Sequence, residues 1–544
     1  MKKLLSLLFF TITFLSLQAQ FSPEVSTQAT DGKSVLTATG NAAPFAATIT
    51  ADDMRSYLEV LASDDYEGRE TGTEGQRKAA DFIATHFEKL GLPKIGDDDS
   101  YFQKISFTAE NWDNGQIELT VNENRFRHLV DFYAFASANP NLNSLETSEV
   151  VFLGYGIEDP KYNDYKGADV KGKVILIHDG EPVSEKGISH LTGTTALSDW
   201  ATNWRRKLEA AKKNGVAAVL IIDNDIKKSV GELRSTLLSS EIKMGMGGQP
   251  DGKYPNNLFI SSTVAREIVG GKMSKFTKVR DGIKATGKPA HLAFKADLKL
   301  MQKKVVRQLL GSNVLGFIEG TDPKLKNEVV VVTAHYDHLG KRGNSIYHGA
   351  DDNGSGTSAV MDIAQAFAEA KEKGIAPRRS VLCMLVSGEE KGLLGSEFYS
   401  EHPIFPLENT VANVNVDMIG RMDKKHEPNP NYIYVIGADR LSTTLHDINE
   451  AANQEFMQLE LDYTFNAKND PNRFYYRSDH YNFARKGIPA IFFFSGTHKD
   501  YHMPSDTVDK IDFEKMEKIA RLVFYTTWEL ANRDERIQVN VKQE

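Results

Sequence analysis

His335 and Asp337 stand two apart in Thr333-Ala334-His335-Tyr336-Asp337-His338, so in extended backbone their side chains fall on one side. Further carboxylates and histidines follow: Asp351 and Asp352 within Gly349 to Gly356 (GADDNGSG), Glu389 and Glu390 after Ser387-Gly388, Asp417 before Met418-Ile419-Gly420, and His502 closing Ser495 to His502 (SGTHKDYH). Imidazole nitrogen and carboxylate oxygen are ligands for zinc and related divalent ions. Hydrolysis of an amide near neutral pH needs a nucleophile, stabilisation of a developing oxyanion and a proton carrier, and two divalent ions about 3.5 to 4 Å apart supply the first two. Such a pair needs a bridging carboxylate and about two further protein ligands on each ion. This chain carries that inventory.

Each group follows a short apolar run. Val329 to Val332 lead into His335, Ser380 to Val386 (SVLCMLV) into Glu389-Glu390, Val411 to Val416 (VANVNV) into Asp417, and Ala490 to Phe494 (AIFFF) into the segment ending at His502. Short β-branched runs bounded by polar or glycine-rich residues read as strands buried on both faces. Chemistry in such sheets gathers at the carboxyl ends of the strands. After Leu300 strand and helix alternate, and the helix after Gly356 presents Val360, Ile363, Ala364 and Phe367 on one face. The expected fold is therefore α/β, with three layers: a mixed, mostly parallel sheet flanked by helices.

The chain has 544 residues, enough for two or three domains, and its net charge of -9 supplies no dominant basic field for nucleic acid. Met1 to Ala19, with two lysines, the apolar run Leu4 to Leu17 and then Gln18-Ala19, reads as a secretory signal peptide, a retained membrane anchor being the alternative. No later stretch has the length and apolarity of a membrane span. The single cysteine, Cys383, lies in an apolar run, so no intramolecular disulfide forms; an exported bacterial protein of the periplasm or medium fits both observations.

Residues 20–46, rich in Ser, Thr, Ala and Gly, read as a linker. Thr50 and Thr73 cap two helices, the second with Gln76 at its capping-box position, and the stretch Ser63 to Gly72 between them reads as a solvated polar loop. From about 110 to 298 short β-like runs dominate, among them Gln116 to Val121, Glu149 to Gly154, Lys173 to His178, Val216 to Ile222 and Asn257 to Ile260, with one clear helix, Trp204 to Asn214. None of these strand ends is expected to carry a His/carboxylate cluster, so the segment reads as a β-rich domain inserted for binding or shielding. Leu441 to Phe456 and Asp512 to Asn532 are further amphipathic helices.

His335-Tyr336-Asp337, Gly349 to Gly356, Glu389-Glu390, Asp417 and Tyr501-His502, in this order, resemble the co-catalytic zinc aminopeptidase family, which includes aminopeptidase Y and secreted bacterial aminopeptidases and is related to glutamate carboxypeptidase and glutaminyl cyclase. The resemblance is strong over about 305 to 535 and weaker over about 46 to 105. Val150 to Gly156 and Val170 to Val174 look like part of the protease-associated domain often inserted in these enzymes. The implied division is a signal peptide at 1–19, a linker at 20–46, a peptidase domain at 47–109 and 299–536, the insert at 110–298 and a tail at 537–544.

The resemblance implies two Zn2+ ions, with Co2+ or Mn2+ as substitutes. It implies Asp352 as the bridging carboxylate, with a cis peptide before Asn353, and Asp351 as the rival for the bridge. One ion would take Glu390 and His502, the other His335 and Asp417, while Asp337 would orient His335 through its other nitrogen. Glu389 would be the general base and Tyr501 an oxyanion donor. His338, His348, His480 and His498 are expected to be structural or to support the ligands from behind, and Asp479 to be a buried hydrogen-bonding carboxylate. Phe465, Phe474, Tyr475 and Tyr476 either line a side-chain pocket or pack in the core. The implied activity removes N-terminal residues from peptides with a free N-terminus. Carboxypeptidase-like or dipeptidase activity, with Arg473 or Arg477 as the cation for a substrate carboxylate, is the near alternative; a glutaminyl cyclase with one metal and a non-catalytic receptor are the more distant ones.

Overall fold

The computed structural model describes residues 35–245 and 252–542. The signal segment expected at 1–19 lies outside the described residues. Seven strands position the chemistry: β1 (Phe102–Val121), β2 (Leu292–Ile318), β3 (Val329–His335), β4 (Ser380–Val386), β5 (Thr410–Val416), β6 (Tyr432–Ile436) and β7 (Ala490–Phe494). Across the sheet they run β6-β7-β5-β3-β4-β2, with β3 parallel to both β4 and β5, and β5 parallel to β7. The outer neighbours β6 and β2 are antiparallel to theirs, so the sheet is mixed around a parallel centre.

The valines of β3 show why both faces must be covered. Val330 and Val332 enter one core with Val360, Ile363, Phe367 and Trp528, while Val329 and Val331 enter another with Met384, Tyr399 and Phe483. Successive side chains of a strand point to opposite faces, so an unbroken apolar run demands a helix layer on each side. On the first face lie α1 (Ala51–Leu61), α2 (Glu74–Lys89), α3 (Gly356–Glu372) and α4 (Phe513–Asn532), and on the second the short helices Leu394–Glu401 and His480–Ala484. Thr50, Thr73 and Asp512 cap α1, α2 and α4 by accepting from the amides of Asp53, Gln76 and Lys515. Among the described residues no helix is long and apolar enough to cross a membrane.

Two sequence expectations look different in the fold. Residues 35–46, within the stretch read as a linker, are packed: the Thr37 and Ala38 amides donate to the Glu529 carboxylate, and Phe45 stacks on Trp528 with ring centroids 5.7 Å apart. The segment 110–298 is less purely β than its short runs suggest. Leu142–Phe152, Val174–His178, Ala218–Ile222 and Asn256–Ile260 form a parallel set in that order, covered by helices that include Trp204–Lys213, Ser262–Val269 and Met273–Thr286. The segment has its own apolar core, yet its sheet is continuous with the other. The 27-residue β2 pairs with β1 from Val314↔Phe102 to Leu298↔Val121, with Leu142–Phe152 on its earlier half and with β4 on its last residues.

Asp362, fully buried on α3, gives a pH test of this packing. Its Oδ2 accepts from the Thr50 amide at 3.0 Å, while its Oδ1 has no partner. Burial first, and then Asp53 and Glu369, push its pKa up to about 8, so the folded chain binds this proton more tightly than the unfolded chain does. With the folded pKa above the unfolded one, the contribution to stability is full below the unfolded value near 4 and is lost as pH rises towards 8. Asp362→Asn is therefore expected to stabilise the protein at a pH of about 8.5 by on the order of a few kcal/mol relative to its effect near pH 4. Denaturation midpoints of both proteins at the two pH values check this; an equal difference at each pH contradicts it.

Candidate metal centre

The carboxyl ends of β3, β4 and β5 and the segment beyond β7 converge. His335 is the last residue of β3, Asp417 follows β5 directly, and Glu389 and Glu390 open a single turn just beyond β4. Asp352 lies in the tight turn Ala350–Ser355 that enters α3, and the peptide between Asp352 and Asn353 is cis. The Asp352 carboxylate faces two ways: Oδ1 is 3.4 Å from His335 Nε2 and Oδ2 is 2.9 Å from His502 Nε2. Around the first histidine stand Asp417 Oδ1 at 3.3 Å and Glu389 Oε2 at 3.7 Å; beside the second stands Glu390 Oε1 at 3.5 Å. All five residues expected to hold metal are thus brought together, with Glu389 among them. Asp351 is not: its Oδ1 accepts from the Gly420 amide and its Oδ2 faces His498 at 3.2 Å, beneath the cluster.

Loop-to-loop hydrogen bonds hold the carboxylates. Asn353 Nδ2 donates to the Val416 carbonyl at 2.9 Å, and its Oδ1 accepts from the amides of Gly356 and Met418, fastening the Asp352 turn to the Asp417 loop. Gly356 sits where these segments meet; a Cβ there would lie 2.4 Å from the Val416 carbonyl oxygen. Asp506 Oδ2 accepts from the amides of Asp351 and Asp352. His335 Nδ1 faces the main-chain carbonyl of Asp337 at 3.1 Å; a carbonyl only accepts, so the proton sits on Nδ1 and Nε2 is turned towards the carboxylates. Asp337 therefore orients His335 through its backbone. Its carboxylate, 3.9 Å from the ring, accepts instead from Thr71 Oγ1 and from the amide of Glu389, which positions the Glu389 turn.

The polar loop between α1 and α2 is not simply solvated. Arg69 is 1% exposed, and its guanidinium donates to the carbonyls of Leu61, Tyr336, His348 and Gly349, tying the His335 and Asp352 loops together. Arg69, Thr71 and Asp506 escape the sequence reading because a buried anchor and a solvated loop have the same composition. His338 escapes it in part: fully buried, it places Nδ1 2.8 Å from Glu390 Oε1, forming with Asp352 and Glu390 a second group able to hold a cation beside His335, Glu389 and Asp417. The other singled-out residues support the walls. His480 stacks on Phe492, His348 Nε2 lies 2.8 Å from Asp64, and Asp479 accepts from Ser396 Oγ. Of the aromatic group, Phe474 lines the cleft with Met418, Phe492 and Phe494, Phe465 packs behind it on Tyr434, and Tyr476 is exposed. Tyr501 and Arg477 also line the cleft, with Arg477 Nη2 donating to the Tyr501 hydroxyl at 3.3 Å.

The electrostatics are those of a site built for cations. Burial opposes charge on His335, yet Glu389, Asp417 and Asp352 raise its pKa well above the ordinary value; against the same penalty, Asp352 and Glu390 push His502 up to about 10. Burial would raise Asp352 and Glu390, but the histidines hold Asp352 well below the usual carboxylate range and Glu390 near 2. Glu389 goes the other way: burial, then Glu390 and Asp417, push it well above the usual range despite His335. Asp417 Oδ1 is buried without a hydrogen bond, although His335 stands beside it. An orphaned carboxylate oxygen, two groups of His and carboxylate ligands and a shared Asp352 fit divalent cations of the zinc type.

Residues 313–527 match the sequence profile of Peptidase family M28. The match is to this segment, less than half of the chain. It contains every member of the cluster, from His335 to His502. Similar proteins include aminopeptidase YwaD of Bacillus subtilis (strain 168), 25% identical over 401 residues that cover 71% of this chain and 70% of that protein. A probable leucine aminopeptidase of Arthroderma otae is 30% identical over 216 residues, covering 38% of this chain and 56% of that protein, so the chain spans little more than half of that relative. Among solved structures, the aminopeptidase from Aneurinibacillus sp. strain AM-1 superposes with a TM-score of 0.55 at 20% identity, covering 92% of this chain and 98% of that one. That likeness establishes the fold, and it spans the segment 110–298 as well as residues 313–527.

Proposed function

We propose that this chain is an exported zinc aminopeptidase that removes N-terminal residues from peptides with two metal ions and a glutamate base. The observation that carries the reading is Asp352, whose two carboxylate oxygens face two different histidines while Glu389 stands beside one of them. His335 and Asp417 would hold one ion, Glu390 and His502 the other, and Asp352 both. Zinc suits this donor set, and Co2+ or Mn2+ would also be accepted. Bound there, the ions supply positive charge that acidifies water and polarises a peptide carbonyl. Glu389 takes the proton from the attacking water and delivers it to the leaving amine. Burial raises the Tyr501 phenol's pKa, so it keeps its proton and donates to the developing oxyanion. The apolar wall of Met418, Phe474, Phe492 and Phe494 receives an apolar N-terminal side chain. Export is supported by Lys2-Lys3 and the run Leu4 to Leu17, and Val150 to Gly156 supports a protease-associated reading of the insert at 110–298.

Arg477 in the cleft favours a second reading, in which its guanidinium receives a substrate carboxylate and the enzyme acts as a dipeptidase or carboxypeptidase. Arg473 turns away, its guanidinium lying over the Tyr476 ring. The blocking group on the substrate separates the readings. An aminopeptidase is expected to cleave a free-amine tripeptide amide at least roughly 10²-fold faster than its N-acetylated form, because the unpaired polar groups of the site penalise an analogue lacking the amine. Cleavage that ignores acetylation but requires a free C-terminal carboxylate overturns it in favour of the Arg477 reading. Loss of activity on chelation, and its return with zinc, checks the metal requirement in the same assay.

A further inference from the structure

The end of Val174–His178 carries His178, Asp179 and Glu181, so the expectation that no strand end in the segment 110–298 bears a His/carboxylate cluster does not hold. Together with Ser184, Asn224 from the end of the next strand, and Arg280 and Lys284 from the helix Met273–Thr286, they line a cavity of about 350 Å3. That volume lies within the roughly 300 to 1,000 Å3 typical of small-molecule sites. Its place, at the carboxyl ends of parallel strands, is where open α/β sheets bind ligands.

The cavity is built on a fixed floor. Lys207 is fully buried beneath it and donates to the carbonyls of His178 and Gly180, which locks the strand-end loop. His178 is 9% exposed and packed among Phe152, Tyr155 and Phe276, yet its Nε2 has no hydrogen-bond partner. Burial first, and then the nearby charges of Arg280, Lys284 and Lys207, push its pKa down to about 4, so it is a neutral imidazole. A neutral imidazole carries one ring N–H, so His178, on the cavity wall beside these cations, can give an anionic group one hydrogen bond.

The remaining charges are of both signs and separated by element. Arg280 and Lys284 lie one turn apart on the same helix, and only Arg280 has an ion-pair partner among the described residues, Asp281. On the strand-end loop Glu181 is already engaged by the amide and hydroxyl of Ser198, which leaves Asp179, exposed and unpaired among the described residues, as the available carboxylate. We propose that this cavity binds a small zwitterion, its carboxylate held by Arg280, Lys284 and His178 and its ammonium by Asp179. That is the chemistry of a free amino acid or short peptide. Preferring these over other zwitterions rests on the peptidase reading; the site itself does not.

Calorimetric titration of the zinc-loaded protein with L-leucine tests it, alongside N-acetyl-L-leucine, L-leucinamide and inorganic phosphate. The wild-type protein is expected to show a leucine-binding event weakened at least tenfold in Arg280→Ala/Lys284→Ala and in Asp179→Asn, with kcat/KM on peptide unchanged in all three proteins. Acetylation and amidation each remove one charge and are expected to weaken the same event at least tenfold. Leucine binding unchanged in both variants overturns the site. Phosphate and N-acetyl-L-leucine binding there as well as leucine shows an anion site only and overturns the zwitterion. Because the titration reads binding, it decides the matter even for a protein that cleaves no peptide.

Discussion

Glu389→Gln is expected to lower kcat on a free-amine peptide by roughly 10³-fold, about 4 kcal/mol of transition-state stabilisation, within the range for loss of a general base. The substitution keeps the shape of a side chain that is 12% exposed and whose amide is held by Asp337, so the turn and its neighbours stay in place. What it removes is a proton acceptor. The surroundings suit that role, because burial and the carboxylates of Glu390 and Asp417 make Glu389 hold a proton more tightly than its neighbours do. Glu390, one residue on, is pushed near 2 by its histidines and has little affinity for a proton. The rival role is ligation, since Glu389 also lies with His335 and Asp417 in one of the two ligand groups. Metal analysis beside the kinetics separates the two: a base leaves the metal content of the glutamine variant unchanged, whereas a ligand lowers it. Activity within about tenfold of wild type removes Glu389 from the proton transfer.

The contrast between Glu389 and Arg69 explains how far the sequence could be read. Glu389, Asp417 and His335 were legible because each follows a run such as Val329 to Val332 whose unbroken apolarity means burial on both faces, and a buried strand has only its end free for chemistry. Helix bounds were legible for similar local reasons, as Thr50 and Thr73 cap where expected. Arg69 and Thr71 were not, because what buries them is the distant pairing of their loop with the carbonyls of His348 and Gly349 and the carboxylate of Asp337. Long-range pairing also joined segments read as separate. Leu292 to Ile318 alternates burial along its first half and is buried throughout its last six residues, a change of partner that periodicity alone does not announce. His178-Asp179 was passed over because a single strand end looks unremarkable until a helix from 100 residues later sets Arg280 and Lys284 against it.

Asp352→Ala is expected to abolish detectable zinc binding in both positions and, with it, peptidase activity. In the proposed two-metal site, losing either a terminal ligand or the shared one would remove a contact, but only the shared one would contact both ions, so the stoichiometry discriminates. Asp417→Ala or Glu390→Ala should retain one ion of the pair, and Asp352→Ala none. The charge state of the metal-free cluster adds a measurement independent of catalysis. The neighbouring carboxylates hold His502 up to about 10 and His335 above its ordinary value, so the metal-free cluster favours protons on these rings. A cation competes for the same nitrogens, and binding must expel those protons. Zinc loading of the metal-free protein near pH 7 is therefore expected to release protons, read as the dependence of calorimetric heat on the ionisation enthalpy of the buffer. Affinity should fall as pH drops, because acid restores the competing protons. Zinc uptake without proton release would mean that His335 and His502 are not the nitrogens that bind it, and an Asp352→Ala protein holding two ions would remove the shared carboxylate on which the two-metal reading stands.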